Sequence, residues 1–233
     1  MYILYRADER QNTTGLWGAS ADTFFASEQE RYLGFGTLVQ VTHTTLNVNG
    51  GNSGMMLHRN MELVDIILSG SVGFQDSFGG SSNFPGNTLQ VISAGKGIYQ
   101  TEFNAGETEA ESLRIGFLPN GLNTAPIKTK GLFDLQEHPD ALVELVSPNN
   151  PASLTVRQQA AVLMGRFDAG KHIGYTLNNS DVGLFVYVIN GVAAVQQQVL
   201  RRGDALAVSG EEQIMIHTAE RSTLLVIEVT INE

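Results

Sequence analysis

Cysteine is absent from all 233 residues, which removes disulfides, thiolate metal sites and cysteine nucleophiles together and is compatible with a reducing compartment. Basic residues are scarce as well: 14 Lys and Arg stand against 24 Asp and Glu, for a net charge of −10. Lys128 with Lys130, and Arg201 with Arg202, are the nearest approaches to a basic run. A phosphate backbone or an anionic membrane would therefore be repelled. There is no Gly-x-Ser-x-Gly elbow, no Walker-type loop and no Gly-x-Gly-x-x-Gly helix start, so the common hydrolase and nucleotide-binding signatures are missing. Met1–Arg10 has a short apolar start broken by charge, too short for a signal peptide or a membrane span. These absences lead to the expectation of a cytoplasmic protein with neither nucleic acid nor membrane as partner.

Stretches that keep a helical period over ten residues are few. Short apolar runs separated by Gly, Asn, Asp and Ser recur instead, the pattern of an all-β protein. Leu63–Val72 is echoed by Leu184–Val192, each a buried strand, a Gly turn (Gly70, Gly191) and a return strand. Leu89–Gly95 is echoed in the same order by Ala205–Gly210. The two echoes predict a duplicated β unit. Five of the six prolines fall between Pro119 and Pro151, marking a connector. This gives an N-terminal domain over 1–138 and a C-terminal domain over 139–233. Short helices are expected at Ala21–Arg31 and at Pro139–Val146, where Pro stands at a plausible first helical position.

Residues two apart on a strand point the same way, so 56, 58, 60 and 62 should share one face, and 100, 102 and 104 another. Two such faces would bring together Met56, His58, Gln100 and Glu102. A divalent ion at that point would want imidazole and carboxylate, and this quartet offers one of each. His43, His138, His172 and His217 are scattered, with no other His or acid on a shared face by spacing, and are expected to be surface or hydrogen-bonded histidines. Trp17, Phe24 and Phe25 would either cover a barrel mouth or pack in the core.

The motifs resemble those of the pirin family. Tyr32–Leu38 is similar to its early Gly-aromatic segment, His58-Arg59-Asn60-Met61-Glu62 to its His-Arg-Asp-Met-Glu signature, and Ser93–Ile98 to its Ser-Ala-Gly-x-Gly turn; Asp76-Ser77 also recurs. The resemblance covers most of the chain and implies a bicupin, two stacked antiparallel β-barrels with few short helices. Metal-binding pirins use three His and one Glu, and some bacterial members resemble quercetin 2,3-dioxygenases. Carried over by position, the four ligands fall on Met56, His58, Gln100 and Glu102, so two imidazoles are replaced by a thioether and an amide. A substitute set of His58, Glu62 and Glu102 could hold Fe(II) or another divalent ion with waters, Glu62 lying at the position that general cupins use after their second His. The competing interpretation pairs Glu62 and Glu102 with Arg59 or with hydroxyls.

Two functions follow from the resemblance. One is a small-molecule-binding or regulatory bicupin with weak or lost metal chemistry, its ligand held in the N-terminal barrel beside Met56 and Gln100. The other is a metal-dependent quercetinase-type dioxygenase in which Glu102 takes the substrate proton. A protein partner, as for a pirin that acts as a transcriptional coregulator, has no sequence feature of its own here.

Overall fold

The structure is a computed structural model, and it describes residues 1–25, 33–51, 54–177, 179 and 181–231. Within them every strand pairs antiparallel, and the helical content is one turn at Ala7–Glu9. The strands form two units, each a sandwich of a large and a small sheet. In the first unit the large sheet runs β12 (Ile127–Leu132), β9 (Thr88–Ser93), β6 (Glu62–Ser69), β11 (Ala110–Phe117), β4 (Leu38–Leu46), β3 (Gly18–Asp22), β2 (Gln11–Gly15). Its small sheet runs β5 (Met56–His58), β10 (Ile98–Asn104), β7 (Ser71–Asp76), β8 (Ser81–Pro85). The second unit repeats the plan. Its large sheet runs β1 (Tyr2–Tyr5), β19 (Ala205–Ser209), β16 (Val182–Asn190), β21 (Ser222–Thr230), β14 (Ala160–Phe167), β13 (Leu142–Val146). Its small sheet runs β15 (His172–Thr176), β20 (Gln213–Thr218), β17 (Val192–Val195), β18 (Gln198–Arg201). The molecule is thus the two-unit cupin-like architecture, with open sandwiches in place of closed barrels.

The small-sheet order β5-β10-β7-β8 recurs as β15-β20-β17-β18, and the echoed sequences occupy equivalent places. Gly70 between β6 and β7 has φ 69° and Gly191 between β16 and β17 has φ 89°, a left-handed conformation that glycine adopts without strain. A Cβ at Gly70 would lie 2.6 Å from the Glu109 carbonyl oxygen, and one at Gly191 would lie 2.4 Å from that of Arg221. Both turns therefore need glycine twice over, for backbone angle and for space.

The largest core lies between the units. Val64, Leu113 and Ile115 of the first pack in one cluster with Phe185, Ile227 and Val229 of the second. The central strands of each large sheet are covered on both faces, by its own small sheet and by the other unit. Strands such as Leu63–Leu68 and Leu224–Val229 accordingly read as apolar runs broken by a single acid, Asp65 in one and Glu228 in the other, rather than as alternating ones. β1 starts the chain in the second unit's sheet, with Leu4 opposite Leu206, before the chain crosses to the first. Among the described residues no helix is long and apolar enough to cross a membrane.

Both expected helices are corrected. Ala21 and Asp22 end β3, paired with His43 and Thr42, Thr23–Phe25 are not helical, and 26–31 lie outside the described residues. Pairing with the neighbouring strand overrides the local preference there. Leu142–Val146 is β13, with Leu142 opposite Gly165. Asp140, directly after Pro139, has φ 58°, which no right-handed helix can continue through. Its amide donates to the Arg166 carbonyl at 3.0 Å and its carboxylate accepts from the Asp168 amide at 2.8 Å.

Candidate functional site

A cavity of about 260 Å³ opens in the first unit, with Trp17, Met56, His58, Glu102 and Arg114 among its walls. β5 lies against β10 with Met56 opposite Gln100 and His58 opposite Ile98. Met56 stands at the mouth, 56% exposed, while His58 is buried. The face expected to continue through 60 and 62 stops at His58. Asn60 has φ 49° and turns the chain so that Glu62 begins β6 in the other sheet. There Glu62 is buried, and its Oε2 accepts from the Ser93 hydroxyl at 2.5 Å and from the Arg157 amide at 2.9 Å. It ties β9 to the segment leading into the second unit and does not border the cavity. Arg59 donates to the Lys96 carbonyl at 3.1 Å rather than to either glutamate.

The centre of the site is Arg114. It sits on β11, opposite Asp65 on β6 and Thr42 on β4. Its Nε donates to Asp65 Oδ1 at 2.6 Å, and one terminal nitrogen reaches both Gln100 Oε1 at 3.2 Å and Glu102 Oε2 at 3.4 Å. Gln90 donates to the other oxygen of Asp65 at 2.7 Å. The guanidinium carbon is 6.0 Å from the centre of the Phe74 ring, within cation–π range. Burial opposes the charge of Arg114, but Asp65 and Glu102 outweigh it and raise its pKa. Gln100, 3% exposed, thus holds the arginine from behind.

His58 is pushed the other way. Burial is the main cause, the Arg114 charge adds to it, Asp65 opposes it, and the pKa falls to about 4. The imidazole is therefore neutral at pH 7, and its buried Nε2 has no hydrogen-bond partner among the described residues.

Sequence reasoning missed Arg114 and Asp65, although each left a signal. Both are charges inside apolar strand runs, Leu63–Leu68 and Leu113–Phe117, and a charge in such a place must find a partner. His43 is hydrogen-bonded and His172 exposed, as expected, but the expectation that no histidine shares a face with another His or an acid is corrected. His172 and His217 are direct cross-strand partners with ring centres 4.5 Å apart, and His43 bonds Glu111 and Tyr187. Pairing across strands creates neighbours that spacing along the chain does not reveal. Of the aromatics, Trp17 borders the cavity and Phe24 packs in the inter-unit core.

The donor set does not fit a divalent ion. Among the described residues no three of His, Asp and Glu stand close enough to share one. His58, Glu62 and Glu102 are not brought together, Gln100 is committed to Arg114, and Met56 supplies a thioether that suits soft metals. A guanidinium already stands against Glu102, and a second cation beside it would meet like charge at short range.

Comparison with known proteins agrees with this architecture. The Pirin family model matches residues 10–115, and the quercetinase C-terminal cupin domain matches residues 144–229. A Zymomonas mobilis protein carrying the provisional name quercetin 2,3-dioxygenase is 30% identical over 176 residues, 75% of this chain and 74% of its own. The quercetin 2,3-dioxygenase of Escherichia coli K12 is 26% identical over 233 residues, 98% of this chain and 99% of its own. In fold, the crystal structure of the E. coli bacterial pirin YhhW in complex with nickel(II) superposes with a TM-score of 0.90 at 23% identity, covering all of both chains. The duplicated sandwich, the two family matches and full-length relatives together establish that the chain belongs to the pirin family of bicupin proteins.

Proposed function

We propose that this chain binds a small, neutral, hydroxylated molecule in the N-terminal cavity and does so around a fixed guanidinium instead of a metal ion. The observation that carries it is Arg114, at 3.4 Å from Glu102 and 3.2 Å from Gln100, two of the positions on which the family's ligands fall. Asp22 and Glu102 border the cavity with Arg114, so its lining is not cationic overall and favours donors over anions. Ligand hydroxyls would donate to these carboxylates, and Trp17 and Met56 would take an aromatic ring at the mouth. In this reading Glu102, paired with Arg114 as the carboxylate, accepts a hydrogen bond or a proton from the ligand.

A metal-dependent dioxygenase is the second reading, supported by the unpartnered His58 Nε2 and by the activity for which the relatives are named. Two measurements on the purified protein separate them: metal content and quercetin consumption after anaerobic reconstitution with Fe(II) or Mn(II), and quenching of Trp17, the only tryptophan, by added flavonol. Saturable quenching without stoichiometric metal or turnover is the expected result. Stoichiometric metal with turnover would establish the enzyme instead.

A further inference from the structure

A second opening, a groove of about 280 Å³, lies where β2, β3 and β4 meet the second unit, with Arg10, Asn12, Thr14, Thr45 and Arg202 among its walls. Two arginines and no carboxylate line it, in a chain whose net charge is −10. Arg10 is only 7% exposed, yet its partners among the described residues are all neutral. It donates to the Tyr187 hydroxyl at 2.9 Å, to the Val41 carbonyl at 3.3 Å and to the Ala21 carbonyl, while its Nε has no partner.

The neighbours do not supply the missing negative charge. Burial raises the pKa of Tyr187 even against the pull of Arg10, so the phenol stays protonated. Its oxygen accepts from Arg10 and its proton goes to His43 Nδ1 at 2.7 Å, which leaves His43 Nε2–H to donate to Glu111 at 2.7 Å. Glu111 also accepts from Arg202 at 3.0 Å, so that one carboxylate is shared between His43 and the exposed arginine. Among the described residues Arg10 has no counter-ion, and a buried cation in that position is costly in a folded protein.

We propose that this groove binds the oxyanion of a small molecule, a carboxylate or phosphate, with Arg10 supplying the buried field and Arg202 the direct contact. The hydroxyls and amide of Thr14, Thr45 and Asn12 suit further oxygens on the same ligand. The first unit provides Arg10 and these polar groups and the second provides Arg202, so the anion bridges the units and stabilises their packing. The groove shares only Ser20 with the walls of the N-terminal cavity, and the proposal does not depend on the function assigned to that cavity.

Calorimetric titration with inorganic phosphate, and in a separate arm with malonate, tests it at low ionic strength. Arg202→Ala, at an exposed side chain, should weaken binding about tenfold, as loss of a charge-assisted hydrogen bond does. Arg10→Lys should weaken it as well, and Lys171→Ala, away from the groove, should leave it unchanged. In the unmodified protein the ring signals of His43 should move on titration while those of His58 stay. The arm with the tighter affinity identifies the anion class. Absence of binding in both arms, equal affinity in Arg202→Ala, or movement at His58 alone would overturn the proposal.

Discussion

Replacing Arg114 with methionine keeps much of the side-chain volume and removes the charge at the centre of the N-terminal cavity. Asp65, itself 3% exposed, would be left with Gln90 as its side-chain donor, and Glu102 would lose its guanidinium. Removing one member of a buried ion pair destabilises proteins by ~3–5 kcal/mol, because the remaining charge is uncompensated. A loss of that size at pH 7 is expected from urea unfolding. The deficit should shrink on acidification, since protonating the stranded carboxylate removes the unpaired charge. His58 offers an independent readout: the Arg114 charge is one of the causes holding its pKa down to about 4, so its NMR titration midpoint should rise in the variant. A stability change below about 1 kcal/mol together with an unmoved His58 midpoint would refute the assignment of Arg114 as the electrostatic centre.

The unmodified protein should lose stability as pH falls from 6.5, the ordinary histidine value, to about 4, the folded value of His58. The neutral imidazole is the form that the fold favours, so the contribution is complete above 6.5 and drains below it, by at most ~3.5 kcal/mol at about 1.4 kcal/mol per pH unit. His58→Gln should flatten that part of the stability profile, and an unchanged slope would argue against His58 as its source. Met56→His with Gln100→His should raise divalent metal affinity substantially only when Arg114→Met is added, because the guanidinium otherwise repels the ion; stoichiometric Ni(II) or Fe(II) in the double variant by calorimetry would contradict this. Gly70→Ala should lower the thermal midpoint by the equivalent of ~2 kcal/mol or more. Gly170→Ala, with φ 79° and nothing within 4 Å of the added Cβ, should cost clearly less, and equal losses would show that backbone angle alone governs both.

What the sequence determined by itself is the local part of the structure. Dense apolar runs such as Leu63–Leu68, in which Asp65 is the single charge, mark strands covered on both faces, and Gly70 and Gly191 mark turns that only glycine makes without strain. The echo between the halves and the motifs around His58 and Gly95 then identify the family, because side-chain alternation and turn chemistry act over a few residues. Tertiary structure decided the rest. Asp140 at φ 58° and pairing with β14 made a strand of the segment after Pro139, against a helical start legible in the residues. Asn60 turned Glu62 out of the wall that alternation alone would give it, toward Ser93 and Arg157. Arg114 meets Asp65 across 49 residues of chain and His172 meets His217 across a strand pair. These contacts depend on which strands lie side by side and in what register. Register is set by packing of the whole sheet and not by the residues on either strand alone, so the charge that borders the cavity becomes visible only once the sheets are assembled.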